Sequence, residues 1–184
     1  PYFEPILWNT IRISLYSFAT FPCSIIFALM INELTNHKFK KTVQMISYMP
    51  HFISTVVVCA MVHMFFNVDG GIVNNAIVAL GGEPVPFMYK AKYFDHLYVW
   101  SGVWQGIGWG TIIYLANLSN VSPDLIEAAR IDGASRWDVV VHINIPTILP
   151  TVVIMLILRV GSIMGVGFEK VFLLQTDLYL SASR

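Results

Sequence analysis

The stretch NTIRISLYSFATFPCSIIFALMIN, residues 9–32, decides the fold class of this chain. It carries one charged residue, Arg12, and it is longer than the ~20 mostly apolar residues that a helix needs to cross a bilayer. Trp8 stands directly before it, where amphipathic rings favour the headgroup region. Pro22, inside the stretch, predicts a bend. These features predict the first of several membrane-spanning helices.

Composition supports the same class. Of the 184 residues 56% are hydrophobic and 12% are charged, which leaves too little polar surface for a water-soluble domain. The net charge is zero, so nothing in the charge balance indicates nucleic acid as a partner. Cys23 and Cys59 lie in apolar runs without neighbouring ligands, which disfavours a disulfide framework or a metal site. We expect an all-α membrane protein, multi-pass in the cell membrane, with the lipid bilayer around it and neither cofactor nor metal.

Three further spans are predicted beyond the first. They run from about Val43 to Phe66, from about His96 to Leu118 and from about Thr147 to Gly165. Pro146 and Pro150 are expected to mark the entry into the last of them. The chain is thus predicted to hold about four spans.

The basic residues of the loops predict the orientation. Five lie in the loops after the first and third spans, and two lie in the loop after the second; in chain order they are Lys38, Lys40, Lys41, Lys90, Lys92, Arg130 and Arg136. Cytoplasmic loops carry an excess of Lys and Arg. The loops after the first and third spans are therefore expected to be cytoplasmic, and residues 67–95 are expected to be outside.

The third span has a stripe of small residues. Gly102, Gly106 and Gly110 recur every four residues and form two overlapping GxxxG patterns, which let another helix approach closely. Packing within the chain is the favoured interpretation, and a subunit interface is the alternative.

A polar segment, residues 123–150, interrupts these apolar runs with the sequence PDLIEAARIDGASRWDVVVHINIPTILP. Ser122 is expected to cap a short amphipathic helix, and Gly133 is expected to end it, since glycine tolerates positive φ. Ser135, followed three residues later by Asp138, predicts a capping box at the start of a second helix. The pattern predicts a compact helical projection on the cytoplasmic face.

At these residues the chain resembles a known family, the permease subunits of binding-protein-dependent ABC importers. The family's cytoplasmic loop reads EAA, then a glycine turn, then I-x-L-P. The matching residues here are Glu127, Ala128, Ala129, Asp132, Gly133, Ala134, Ile143 and Pro146. Ile145 stands where the family usually has leucine, a change that leaves the apolar contact nearly intact. YMPHFIS at 48–54, GIVNNAIVALGG at 71–82 and VGFEKVFLL at 166–174 resemble the branch that imports complex carbohydrates.

The resemblance implies a role and a set of partners. Residues 1–184 would form a single transmembrane permease domain, a fragment lacking helices at both ends, and residues 119–146, called the coupling segment below, would dock on a cytoplasmic ABC ATPase dimer. A second permease subunit and an extracellular or periplasmic solute-binding protein would complete an importer of a sugar or oligosaccharide. The chain would work by alternating access and catalyse no reaction itself.

The residues agree with this division of labour. No GxxxxGK[ST] phosphate loop occurs in the sequence, so ATP hydrolysis is assigned to another chain. The alternative for the coupling segment is an amphipathic hairpin lying on lipid headgroups, but such helices are usually rich in Lys and Arg, whereas this one carries nearly equal acid and base.

Three other classes of function are alternatives. A permease for a peptide or amino acid shares the same loop motif, so the motif does not separate solutes. An ion-driven secondary transporter would show paired intramembrane carboxylates or inverted repeats of broken helices, and neither is evident in the sequence. A membrane-embedded enzyme would need a catalytic cluster, which is not evident either.

Four residues are candidates for the transport path. Arg159 lies in the apolar run VVIMLILRVGSIMG, where a central charge costs about 2.5 to 3.5 kcal/mol. It is expected either to line the path, pairing with Glu169 or hydrogen-bonding sugar hydroxyls, or to form a structural pair with another helix or the partner subunit. Trp104 could stack on a sugar ring or anchor its helix at the membrane boundary. Gln105 lies beside it, and Glu169 follows the last predicted span.

Overall fold

The computed structural model describes residues 3–162, 165 and 167–174, and these form helices and turns with no strand among them. The helices are α1 (Phe3–Ala19), α2 (Phe21–Asn32), α3 (His37–Tyr48), α4 (Thr55–Phe66), α5 (Ile72–Ala79), α6 (Phe94–Leu118), α7 (Pro123–Ile131), α8 (Arg136–Val139), α9 (Ile145–Gly161) and α10 (Phe168–Leu174). Short 3₁₀ turns cover Met49–Phe52, Phe87–Tyr89 and Ala91–Tyr93, and a π-helical segment covers Val140–Asn144. The all-α prediction is confirmed.

Within the described residues, two helices are long and apolar enough to cross a membrane. They are Leu7–Asn32 and Arg136–Gly161, and a bent pair, His37–Phe52 with Thr55–Phe66, makes a third if it is counted as one span. The first contains α1 and α2, which are interrupted at Thr20. The interruption lies two residues before Pro22, whose ring nitrogen has no hydrogen to donate to the previous turn.

The third predicted span is α6, and it matches the expected bounds closely. Its 25 residues are enough to cross a bilayer. It is, however, not apolar enough to be counted among the candidate spans. The reason lies in its content: glycines, tryptophans and polar side chains replace much of the aliphatic surface of an ordinary span.

The second predicted span is not one helix, and this expectation was wrong. The chain forms α3, then the 3₁₀ turn at Met49–Phe52, then α4, whose first turn is capped by Ser54 through a bond from the Val57 N–H at 3.4 Å. Pro50 lies in the turn, and proline removes the donor that a continuous helix would need there. The 12 residues of α4 cover about 18 Å, short of the hydrocarbon core of a bilayer.

The start predicted for the fourth span was also wrong. Instead of starting at about Thr147, one helix runs without a break from Arg136 to Gly161, through the π-helical segment and past Pro146 and Pro150. Pro146 follows the π-helical segment directly and lies in the first turn of α9, where a missing N–H costs least. Residues 163 and 164, in the last turn that was predicted, lie outside the described part of the chain.

The chain divides into two units, each with its own core. The first comprises Phe52–Gln105 with the described parts of Pro1–Thr20 and Ile163–Arg184, and the second comprises Phe21–His51 and Gly106–Ser162. In the first, the buried core residues are Ile13, Cys59, Val62, Met88, Phe94, Leu97 and Leu174. In the second they are Ala28, Tyr114, Leu118 and Ile148, which join α2, α6 and α9.

Glycines of α6 do permit close packing, but the tightest position is one that the GxxxG pattern did not include. A Cβ atom at Gly108 would overlap the backbone carbonyl of Ser47 on α3. At Gly110 it would lie 2.7 Å from the Ser24 hydroxyl of α2, whereas at Gly106 it would meet nothing within 4 Å. The favoured interpretation, packing within the chain, is confirmed for Gly110 and extends to Gly108.

Candidate functional site

The first helix of the coupling segment is α7, and it begins where the sequence predicted. Ser122 is at the N-cap position and Pro123 is the first helical residue, with Asp124 in the positive first turn and Arg130 in the last. The expected cap through the Ser122 side chain was wrong, since that side chain makes no capping bond. The Leu125 N–H, which it would have bonded, donates instead to the backbone carbonyl of Ser122 at 3.1 Å.

The end of α7 is closed by two backbone bonds around Gly133. The Gly133 N–H donates to the Arg130 carbonyl at 3.1 Å, and the Ala134 N–H donates to the Ala129 carbonyl at 2.9 Å. This pair of bonds is the Schellman motif, which places the residue after the C-cap in the left-handed region. Gly133 has φ of 89°, a conformation that other residues adopt at a cost.

The helix after the turn is capped as predicted. The Asp138 N–H donates to the Ser135 hydroxyl at 3.2 Å, and the Ser135 N–H donates to the Asp138 carboxylate at 2.9 Å, which completes a capping box. The Ser135 hydroxyl also donates to that carboxylate at 2.6 Å. Local bonds therefore hold the turn between α7 and α8 in one conformation.

The motif residues of the coupling segment are mostly accessible in this chain. Those that are exposed are Glu127, Ala128, Asp132, Gly133 and Pro146, and those that are half-buried are Ala129, Ala134 and Ile143. Glu127 makes no hydrogen bond or ion pair with any described residue. Its carboxylate is available to a partner outside the chain.

The coupling segment also carries exposed apolar side chains. Ile131 is 86% exposed and Trp137 is 72% exposed, and Leu125 is also largely exposed. Large exposed apolar side chains are candidates for contact with a partner or a membrane. The structure leaves these side chains uncovered within the described chain.

The base of the coupling segment holds a polar contact that sequence reasoning missed. Asn144, the last residue of the π-helical segment, donates from Nδ2 to the Glu33 carboxylate beyond the end of α2, at 3.3 Å. The two residues are 111 positions apart, and no local pattern marks either one.

Two of the transport-path candidates lie on the first unit's part of α6. Trp104 is 45% exposed and lines a cavity of about 490 Å³. The cavity is largely apolar, with Val58, Met61, Val62, Phe65, Phe66, Phe87, Tyr93, His96, Leu97, Trp100 and Ser101 as its other lining residues. Gln105 donates from Nε2 to the Ile53 carbonyl at 2.7 Å, so one of its amide hydrogens serves to hold the chain before α4.

The other two path candidates lie in different units. Arg159 is in the last turn of α9, in the second unit, and its side chain is exposed. Its backbone carbonyl accepts from Ser162, which ends the helix. Glu169 is in the first turn of α10, in the first unit, and is exposed.

Lys170, beside Glu169, is held by α6. Its Nζ donates to the Tyr98 carbonyl at 2.8 Å and lies 4.8 Å from the centre of the Tyr98 ring. A Cβ atom at Gly102 would come within 3.1 Å of that Nζ, so this glycine leaves room for the ammonium group. Lys170 is outside the candidate spans, and burial lowers its pKa to about 8.

A second polar contact missed from sequence joins α1 to the start of α6. Arg12, in the first span, pairs with Asp95 at 2.7 Å, which compensates a charge in an apolar stretch. One turn further along, the Tyr16 hydroxyl lies 2.7 Å from His96 Nδ1 and accepts from Trp100 Nε1 at 2.8 Å. Trp100 is thus tied to α1.

No cluster of three or more His, Cys, Asp or Glu side chains that could hold a metal occurs within residues 3–162, 165 and 167–174. The described part of the chain therefore offers no candidate metal centre.

Comparison with known families gives a match over most of the chain. Residues 20–173 match the family described as the binding-protein-dependent transport system inner membrane component. The match includes the coupling segment and all four candidate path residues.

Individual relatives are similar along nearly the whole chain. Protein LplB of Bacillus subtilis is 39% identical over 184 residues, which are 100% of this chain and 58% of LplB. The polygalacturonan/rhamnogalacturonan transport system permease protein YteP of the same organism is 42% identical over 175 residues, 95% of this chain and 54% of YteP. The chain thus spans little more than half the length of these relatives.

A solved structure has the same fold. The bacterial ABC transporter involved in the import of the acidic polysaccharide alginate contains a chain that superposes with a TM-score of 0.94 at 37% identity, covering 98% of this chain and 64% of that one. A second structure of a bacterial alginate ABC transporter, in complex with a periplasmic protein that binds an alginate pentasaccharide, matches equally well.

Proposed function

Since the chain belongs to the family of binding-protein-dependent transport system inner membrane components, we propose that it is the transmembrane subunit of an ATP-driven importer of a sugar or oligosaccharide. It would alternate between outward-open and inward-open states. The coupling segment would bind a separate ATPase, whose movements it would transmit to the membrane spans.

The observation that carries this proposal is the geometry of the coupling segment. A nine-residue helix, a turn closed by the Schellman bonds at Gly133 and a capped second helix form a projection held by its own backbone. A rigid projection transmits the displacement of a bound partner, whereas a flexible loop would absorb it. Glu127 and the exposed side chains of Ile131 and Trp137 supply one charge and an apolar surface for that partner.

The proposed solute rests on the relatives. YteP is named as a permease for polygalacturonan and rhamnogalacturonan transport, and the transporter in the solved structure is involved in the import of alginate. All three polysaccharides contain sugar acids, so an oligosaccharide with carboxylate groups is the first solute to test. Import of a peptide or amino acid is the alternative, because the loop motif is shared by those permeases.

The proposed partners follow from what the chain lacks and from the solved complex. The sequence has no phosphate loop, so an ABC ATPase dimer on the cytoplasmic side would hydrolyse ATP, and this chain would be a transport component without enzyme activity. A second permease would form the other half of the path. An external solute-binding protein would deliver the sugar, as the periplasmic protein of the alginate transporter complex indicates.

The test uses the full-length protein with its ATPase and second permease in proteoliposomes. Pull-down of the ATPase and ATP-dependent uptake of a labelled oligogalacturonide are measured for the unaltered protein, for Glu127→Ala and for Glu83→Ala. Glu83 is an exposed acid in the predicted outside loop and serves as the matched control. We expect Glu127→Ala to lose ATPase binding and uptake while Glu83→Ala keeps both.

Two results would contradict the proposal. Uptake that follows an imposed ion gradient and needs no ATP would identify a secondary transporter. Full ATPase binding and uptake with Glu127→Ala would remove the role given to the coupling segment, even if the chain proved to be an importer subunit.

A further inference from the structure

We propose that the hydrogen bond between Asn144 and Glu33 is a coupling contact, through which movement of the coupling segment is passed to the first membrane span. The inference rests on the proposed function and adds to it the residues that carry the movement onward from the ATPase-facing projection. Neither residue belongs to the loop motif.

The first argument is the continuity of the helix that leaves the coupling segment. One helix runs from Arg136, directly after the capped turn, to Gly161. Because this helix is continuous, a displacement of its first turns moves its membrane-spanning part as well. Asn144 is the ninth residue of that helix, between the capped turn and the apolar part of the span.

The second argument is the π-helical segment, Val140–Asn144, at this position. The Ile145 N–H donates to the Val140 carbonyl, five residues back. Single π turns inside α-helices are rare and occur frequently at functional sites, because the helix changes register there. The register change ends at Asn144, whose side chain makes the contact to Glu33.

The third argument is burial. Asn144 is 1% exposed, and its Oδ1 atom has no hydrogen-bond partner among the described residues. A buried amide whose oxygen has no hydrogen-bond partner costs free energy, and a purely structural position would not need that cost. An apolar residue would pack there without that cost, so the polar contact to Glu33 is the feature that needs asparagine.

The fourth argument is the packing on either side of the contact. Ile148, one turn after Asn144 and on the same helix face, belongs to the buried cluster that also contains Ala28 of α2 and Tyr114 and Leu118 of α6. Asn32, the last residue of α2, directly precedes Glu33. Its carbonyl accepts a hydrogen bond from Nζ of Lys40 on α3 at 3.4 Å. The Asn144–Glu33 bond is thus the polar end of a packed interface between the first and fourth predicted spans, on the side of the coupling segment.

The experiment measures moles of solute transported per mole of ATP hydrolysed, in proteoliposomes with matched amounts of assembled transporter. Glu33→Ala and Asn144→Ala remove the bond, Glu33→Gln keeps an oxygen acceptor for Asn144, and Glu83→Ala is the control for loss of an acid. We expect the two bond-removing variants to lower the ratio roughly fivefold. One hydrogen bond contributes about 1 kcal/mol to the arrangement in which the coupling segment and the first span move together. Glu33→Gln and Glu83→Ala should stay within about twofold of the unaltered protein.

A donor–acceptor exchange supplies an independent test if either alanine variant assembles poorly. Asn144→Asp alone places two carboxylates together and should lower the ratio, whereas Asn144→Asp combined with Glu33→Gln restores one donor facing one acceptor and should recover it. An unchanged ratio in Glu33→Ala, or no recovery in the exchanged pair, would overturn the inference. Failure of the proposed function would appear differently, as an absence of ATP-dependent uptake in the unaltered protein.

Discussion

The Ala134 N–H donates to the Ala129 carbonyl at 2.9 Å, so the second alanine of the EAA motif and the residue after the motif glycine are joined by one backbone bond. With the bond from Gly133 to Arg130, it accounts for the spacing between the EAA triplet and the glycine turn. The spacing is that of a helix end, in which Ala129 lies three residues before the C-cap, Asp132. The motif thus encodes the shape of the turn between α7 and α8.

Gly133→Val should uncouple the transporter. Valine at a φ of 89° costs at least about 1–2 kcal/mol, and no neighbouring atom causes the strain, since a Cβ there meets nothing within 4 Å. We expect ATP hydrolysis to continue while solute transported per ATP falls. Gly81→Val is the matched control, because Gly81 has a φ of 84° with equally open surroundings but lies in the predicted outside loop. Normal coupling in Gly133→Val would contradict the rigid-projection model.

Ser135→Ala should loosen the start of α8 without affecting the rest of the chain. Loss of a side-chain cap costs about 1 kcal/mol, which corresponds to roughly fivefold faster hydrogen exchange at the amides of residues 137–139 if they open locally. Ser122→Ala is the control, since the Ser122 side chain makes no capping bond and its loss should change exchange in α7 little. Equal effects of the two changes would show that the capping box does not hold the turn.

Gly108→Ala should destabilise the permease, because the added methyl would overlap the Ser47 carbonyl and a backbone atom cannot move aside cheaply. Overpacking of this kind costs about 1–3 kcal/mol, seen as a lower Tm of the purified assembled protein. Gly106→Ala, two residues away on the same helix, meets nothing within 4 Å and should be neutral or slightly stabilising, since alanine is the better helix former. A Tm that falls for Gly106→Ala and not for Gly108→Ala would contradict the packing described for α6.

Arg159→Met tests the transport path. Arg159 is exposed in the last turn of α9, and if it contacts the solute, its replacement should reduce uptake severalfold with the amount of assembled transporter unchanged. Leu158→Met, at the exposed neighbouring position, controls for the new side chain itself. Full uptake with normal assembly in Arg159→Met would leave the arginine with a structural role only.

Local features of the coupling segment were predictable because their partners are close in sequence. The capping box joins residues 135 and 138, and the glycine turn joins residues within one helical end. The cap at Ser122 was mispredicted because the Leu125 N–H can bond either the side chain or the backbone carbonyl of Ser122. The sequence does not show which of the two it bonds. Hydropathy likewise predicts the apolar helices, but it does not show that the helix from Arg136 continues past two prolines.

By itself, the sequence determined the all-α membrane class, the capping box at Ser135 and the glycine turn at Gly133, because hydropathy, capping and positive φ act within a few residues. Only the tertiary structure decided which small residue of α6 meets another helix, that Arg12 pairs with Asp95, and that Asn144 reaches Glu33. Each of these contacts joins residues more than 60 positions apart. Their partners are set by how the helices pack, and no periodicity along the chain specifies that packing.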